Sequence, residues 1–205
     1  MEKGKLNKEK KRNDLLDAAY KLFTVIGYSE TTITQIAKKA GVAKGTFYLY
    51  FKSKEDIREA LIIIKSREIF QNAINNLSKH LEQTKANLSI CDKIIFITDD
   101  ILTVLSKNIA LLKYIYKSLS WGLFSKPFLT ADKQKELLDF RTYTKNMLKK
   151  EGVVLKNFDL VIYTIVELIN STCYNIILNG EPVTFSDYKP FLFKCIRLII
   201  EDELN

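Results

Sequence analysis

The 205-residue chain has only three prolines, and Pro127, Pro182 and Pro190 all fall late. Proline removes a helical N–H and clashes with the preceding turn, so its rarity permits long uninterrupted helices through most of the chain. Glycine is nearly as scarce, at seven, and no glycine-rich phosphate loop is present. His80 is the single histidine and has no companion ligands around it. With no paired metal ligands and no nucleophile motif, the sequence points to no enzyme, no metal and no cofactor. Cys91, Cys173 and Cys195 are odd in number, far apart and set in apolar helical patterns. They are expected as reduced core residues of a cytosolic protein, not as a disulfide framework. The nearest thing to a membrane span is 160–178, interrupted by Glu167, Asn170, Ser171, Thr172 and Asn175, which favours a buried helix of a soluble protein. The opening MEKGKLNKEKKRND is polar throughout, unlike a secretory leader. No membrane partner is expected, and the expected location is the cytoplasm.

The charge is present in excess and in one place. Residues 1–54 hold 12 Lys or Arg against 5 Asp or Glu, a net of +7, while the other 151 residues carry 20 against 19, a net of +1. A positive field on the first quarter suits a polyanion such as nucleic acid, and would equally suit an anionic membrane surface or a solvated helix face.

Residues 1–12 form a basic, polar arm with no apolar period, expected to fray. Leu15, Ala19, Leu22 and Ile26, with Leu16 and Phe23, then mark an amphipathic helix that Gly27 closes. Thr34 is the expected N-cap of a second helix carrying Ile36, Ala37 and Ala40. Gly41 ends that helix, Val42 is an apolar anchor, and a short third helix is expected over 43–50, with Phe47 turned inward. Phe51 reads as a core plug, and Ser53 with Asp56 as a capping box. That box opens a long helix towards Leu81, with Ile57, Leu61 and Ile64 on one face.

Beyond it the pattern is helical and no strand signal appears. Helices are expected over 92–107, 109–124, 130–150 (opening at Thr130 and Asp132), 157–178 (capped by Asn157, closed by Asn179 and Gly180) and 187–204. In the last of these, Asp187 would be the N-cap and Pro190 the third helical position. The last two helices are apolar nearly all round, so each needs cover on two sides. An isologous dimer through four helices would supply it, with Ile165, Ile169, Ile176, Phe191, Ile196, Leu198 and Ile199 at the interface.

Reading a DNA major groove needs a helix with a free face, backbone able to approach phosphates, and donors that fix register. Lys44 supplies charge at the start of the third helix, and Gly45 removes the side chain that would keep backbone and phosphate apart. Thr46 offers a hydroxyl or methyl. Tyr48, Tyr50 and Lys54 are spaced to reach phosphates, although Tyr50 could pack on Phe51 and Lys54 could serve only the helix it opens.

The stretch GYSETTITQIAKKAGVAKGTFYLYFKSKEDI resembles the N-terminal helix-turn-helix signature of the TetR family of bacterial transcriptional regulators. Phe23, Gly27-Tyr28, Thr31-Thr32, Ile36-Ala37, Ala40-Gly41-Val42, Gly45, Tyr48, Phe51 and Lys54 stand in order within it. The resemblance implies an all-α homodimeric repressor. Residues 1–54 would be a three-helix DNA-binding domain with its helix-turn-helix, and residues 55–205 a helical effector-binding and dimerisation domain. It further implies a palindromic double-stranded DNA operator contacted at Thr32, Thr34, Lys44, Gly45, Thr46, Tyr48, Tyr50 and Lys54, nucleoid association, and release when a small-molecule effector re-spaces the two reading helices. Candidates for the effector pocket are the aromatics Tyr114, Tyr116, Trp121, Phe124, Phe128 and Tyr163, with Glu167 as a counter-ion for a cationic ligand. A DNA-bound architectural or cell-division factor that recruits a partner is the alternative of a different class.

Overall fold

The computed structural model describes residues 2–116, 118–124 and 140–204, and every regular element among them is a helix. In chain order these are α1 (Glu2–Val25), α2 (Ile33–Lys39), α3 (Lys44–Phe47), α4 (Lys54–Thr84), α5 (Ile90–Lys107), α6 (Ile109–Ile115), α7 (Leu119–Phe124), α8 (Phe140–Lys150), α9 (Phe158–Asn179) and α10 (Phe185–Leu204). The chain divides into two compact units, Met1–Ile63 and Ile64–Asn205, so the division falls inside α4.

In the first unit α2 packs on α1 and α3 on α2. Leu15, Leu16, Ala19 and Phe23 of α1 meet a core completed by Ile36, Ala37, Phe47, Phe51 and Ile57, all buried. Two expectations fail here. The arm is helical from Glu2, because its lysines and glutamates are good helix formers and extend a helix already fixed by the apolar stripe behind them. Ile26 is exposed, since the helix has ended and Gly27 has turned to φ 93°.

The second unit is built on α9 and α10, which pack on each other, with α5 against α10 and α7 against α9. Its core gathers Ile90, Ile94 and Leu102 with Ile165, Ile169, Leu192, Ile196 and Ile200. Helix α9 is long and apolar enough to cross a membrane by length and composition. Val161, Ile162, Ile165, Val166, Ile169, Cys173 and Ile176 are buried within this unit, which makes α9 a core helix. Cys91 and Cys173 are buried and Cys195 is half-buried, all as free thiols. Burial pushes the Cys173 thiol up to about 11.

Polar side chains fix the ends of these helices. Ser89 Oγ accepts from Asp92 N at 3.2 Å and opens α5. Asn108 closes α5 and opens α6, accepting from Leu111 N at 3.0 Å. Arg197 reaches Asp92 at 2.5 Å and ties α10 to α5. The Ser89 hydrogen bond, with Arg197 behind it, holds the Asp92 carboxyl below its ordinary range.

The expected helix over 109–124 is interrupted. Tyr116 takes φ −51°, ψ 141° and stacks on Tyr174 with centroids 3.5 Å apart. The expected opening of α8 at Thr130 and Asp132 lies outside the described residues. Thr184, not Asp187, caps α10, accepting from Asp187 N at 3.2 Å. Pro190 therefore sits well inside the helix, where its missing N–H leaves the carbonyl of exposed Ser186 to solvent.

Candidate nucleic-acid interface and effector cavity

The first unit presents a surface built by a few polar side chains. Thr32, not Thr34, is the N-cap of α2. Its hydroxyl accepts from Gln35 N at 3.2 Å, while Thr32 N donates to Gln35 Oε1 at 2.7 Å. This reciprocal capping box satisfies two otherwise unpaired helix-end donors, and it leaves Thr34 exposed in the first turn. Gly41 ends α2 at φ 69°. Val42 N bonds Ala37 O at 3.0 Å and Gly41 N bonds Lys38 O at 3.2 Å, the paired bonds of a Schellman turn. The chain thereby reverses within four residues and delivers α3.

Helix α3 is a single α-turn, Lys44–Phe47, shorter than the expected 43–50. It continues in tighter i→i+3 bonds, Leu49 N to Thr46 O at 3.2 Å and Tyr50 N to Phe47 O at 3.0 Å. Phe47 is 0% exposed and its ring lies 5.8 Å from that of Phe51, so the inner face of this segment is fully used. The outer face holds exposed Lys44 and Gly45, half-buried Thr46, Tyr48 at 51% exposure and half-buried Tyr50. A Cβ built on Gly45 would meet nothing within 4 Å, and its φ is not in the left-handed region. Neither internal packing nor backbone conformation therefore requires glycine there, and a glycine in a helical turn costs about 0.5–1 kcal/mol relative to alanine. The space over Gly45 is open to close approach from outside the protein.

Lys54 is placed differently. Its Nζ donates to the carbonyls of Tyr28 at 2.8 Å, Thr31 at 3.0 Å and Ser29 at 3.4 Å. It also lies 4.3 Å from the Tyr28 ring centroid. Three carbonyls consume the three donors of an ammonium, so Lys54 staples the α1–α2 loop to the start of α4. Tyr28 donates its hydroxyl to Glu55 and packs edge-on to Phe23 at 5.2 Å. Burial, helped by the Glu55 bond, pushes the Tyr28 phenol up to about 12. Sequence reasoning passed over the exposed Lys38, Lys39 and Lys52. Their closeness in the chain to Gly41 and Lys54 was the available signal.

The second unit contains an apolar cavity of about 70 Å³. Its walls come from α4 (Ser66, Ile69, Phe70), α5 (Ile94, Ile97, Thr98, Ile101), α7 (Leu123), α8 (Phe140, Thr144, Met147) and α9 (Ile162, Ile165, Val166, Ile169). No charged side chain is among them. None of the residues expected at a pocket is among its described walls. Phe124 stands one ring away, edge-on to Phe140 at 5.4 Å and to Tyr163 at 5.7 Å. Tyr114 and Glu167 are half-buried elsewhere, Tyr116 is taken up by Tyr174, and the Trp121 side chain and Phe128 lie outside the described residues. Aliphatic residues at helical spacing make the walls, a pattern that in sequence cannot be told from ordinary core.

Of the residues expected at a dimer interface, Ile165, Ile169, Ile176 and Ile196 are buried within this unit's own core, and Ile199 is half-buried. The outward apolar residues are Phe191 at 60% exposure and Leu198 at 57%, with Leu160 and Tyr163 exposed on α9.

A glycine-turned helix pair with a basic outer face, followed by an all-helical unit around an apolar cavity, is a helix-turn-helix architecture with a helical second unit. Residues 15–61 match the profile of bacterial regulatory proteins, tetR family. The chain is 50% identical over 50 residues to the fatty acid metabolism regulator protein of Bacillus subtilis, covering 24% of this chain and 26% of that protein. The chain thus spans about a quarter of the length of the curated relatives it matches. Its fold is similar to that of Thermus thermophilus FadR, a TetR-family repressor in complex with lauroyl-CoA, with TM-score 0.57 and 23% identity over 95% of both chains. Bacillus subtilis FadR in complex with stearoyl-CoA gives TM-score 0.57 and 20% identity over 91% of this chain and 96% of that one.

Proposed function

We propose that this chain is a DNA-binding transcriptional regulator that acts as a homodimer on a palindromic operator and is released by an apolar effector, working in the cytoplasm on the nucleoid. The observation that carries the DNA-binding half is the open face of α3. There Lys44, Thr46 and Tyr48 flank a glycine that nothing inside the protein requires. A helix presented this way lets backbone reach phosphate while its neighbours reach bases. Lys44, Gly45, Thr46, Tyr48 and exposed Thr34 are the contacts proposed. Thr32 and Lys54 act through the geometry they impose, and Tyr50 flanks the same face.

Dimerisation is proposed through the outward strip of α9 and α10, Leu160, Tyr163, Phe191 and Leu198, rather than through the isoleucines the unit keeps for itself. Two reading helices joined this way would meet half-sites about 34–36 Å apart. For the effector, the apolar described walls of the cavity and the acyl-CoA ligands of the two FadR structures favour a ligand with an aliphatic portion.

Selection of bound fragments from genomic DNA, followed by fluorescence anisotropy on the recovered site, tests the reading. Nanomolar, palindrome-dependent binding that falls on Lys44→Ala is expected, and sequence-independent binding would reject it. Leu198→Glu should sediment as a monomer and lose operator affinity. A dimeric variant would reject the proposed strip.

A further inference from the structure

Helix α4 brings one polar group to the cavity that has no reason to be there. Ser66 is 1% exposed, and its Oγ has no hydrogen-bond partner among the described residues. A helical hydroxyl ordinarily satisfies itself on the carbonyl one turn back. Other helical positions of this chain show the habit: Thr84 of the same helix donates to His80 O at 2.7 Å, and in other helices Thr24 donates to Tyr20 O at 2.8 Å, Thr144 to Phe140 O at 2.8 Å and Thr172 to Leu168 O at 2.6 Å. Ser66 does not follow it. An alanine would pack the same space without burying an unpaired hydroxyl, which is a cost to the free protein.

We propose that Ser66 is the polar anchor of the cavity, and that the ligand is an uncharged, largely aliphatic molecule whose hydroxyl or carbonyl oxygen meets the Ser66 hydroxyl. This rests on the reading of the cavity as an effector site. Two features fix the ligand class. Among the described walls only hydroxyls interrupt the hydrocarbon, and that of Thr144 is already spent on Phe140 O. With no charged side chain among the described walls, an ionised head seated against them would be desolvated without compensation. The volume, about 70 Å³, is roughly half that of an engineered apolar cavity of about 150 Å³ that takes benzene. The first ligands to enter are therefore short alkyl groups, with the flexible Met147 side chain in the wall able to yield. Because Ser66 and Phe70 stand on α4, such a ligand touches the helix whose first residues, from Lys54, belong to the DNA-reading unit.

The test uses the full chain with 1-pentanol, its near-isostere n-hexane, and pentanoate at pH 8, titrated calorimetrically into wild type and Ser66→Ala. Expected is a loss of about fivefold to tenfold in pentanol affinity in the variant, the size of one hydrogen bond. Hexane affinity should be unchanged, and pentanoate should bind at least about tenfold more weakly than pentanol to both. Ser66→Ala should also melt higher than wild type when ligand-free, since it loses only an unpaired hydroxyl. Equal pentanol affinity in the two proteins, or a parallel loss for pentanol and hexane, overturns Ser66 as anchor while leaving the cavity as a ligand site. A lower ligand-free melting temperature shows that the hydroxyl already has a partner, and overturns it too. If neither pentanol nor hexane binds wild type, the effector reading of the cavity fails along with the anchor. Operator binding, measured separately, is unaffected by either outcome.

Discussion

Residues 1–63 and 64–205 place their functional groups by opposite means. In the first unit, single polar residues hold the geometry: Thr32 and Gln35 cap α2, Gly41 turns it, and Lys54 binds three loop carbonyls. In the second, the described walls of the cavity are mostly aliphatic side chains contributed by five helices. A surface that meets a fixed partner such as a phosphate backbone needs residues of defined identity at defined spacing. A cavity wall needs only volume and apolarity, which Ile, Leu, Val and Met supply interchangeably.

The largest break in that comparison is expected from Phe47→Ala. Phe47 is fully buried beneath the outer face of α3, and removing it should cost about 3–5 kcal/mol. If the units are as separate as their cores suggest, proteolysis and a biphasic circular-dichroism melt will show the first unit lost and the helices of the second retained. A single cooperative transition shifted as a whole would show that the units fold together.

Lys54→Met comes next, at about 1–3 kcal/mol, because three loop carbonyls, two of them part-buried, lose a charged donor. Its operator affinity should fall with no change in the salt dependence of binding. Lys44→Ala should do the reverse: unchanged melting temperature, and a salt slope reduced by about one. Both lysines belong to one sequence motif, and this pair of measurements separates the one that holds the loop from the one proposed to hold DNA. A reduced slope for Lys54→Met would return it to the interface.

That pair also marks how far the sequence could be followed. The all-helical fold, the glycine turn and the inward Phe47 were legible because turns and plugs have few chemical solutions. The role of Lys54 was not, because spacing along α4 does not say that its ammonium folds back onto Tyr28, Ser29 and Thr31. The shortness of α3 was hidden for a related reason, since i→i+3 and i→i+4 winding diverge too little over a single turn for the side-chain pattern to separate them. In the second unit the aromatics Tyr114, Trp121 and Phe124 drew attention as a pocket, while the walls are made by Ile94, Ile97, Ile162 and Ile165, which in sequence are simply core. The outward residues of α9 and α10 were hard to separate from inward ones because both helices are apolar nearly all round.

Gly45→Ala sharpens the contrast at smaller magnitude. With open space around the new methyl, the free protein should be unchanged or more stable by about 0.5–1 kcal/mol. Operator affinity should nevertheless drop, because the methyl stands where a phosphate would approach. A variant that is stabilised and binds as before would mean that Gly45 faces nothing.

The smallest effect expected is that of Tyr28→Phe, and it has a pH signature. The phenol is raised from its ordinary 10 to about 12, by burial first and the Glu55 bond second. A group whose folded value is raised contributes stability that is complete below the unfolded value, and loses it as pH climbs through the folded one. Wild type should therefore exceed the variant in melting temperature by a constant margin at neutral pH, and that margin should disappear between pH 10 and about 12. The acid side carries the opposite sign. Glu55 is lowered from 4.5, chiefly by the Tyr28 hydrogen bond, so its contribution is present above that value and declines as pH falls below it. The margin between the two proteins is then a plateau with two edges, set by the two ends of one hydrogen bond. Glu55→Gln should erase the acid edge and reduce the alkaline one without removing it, since burial would still act on the phenol. Loss of both edges in Glu55→Gln would show that the bond, and not burial, governs Tyr28.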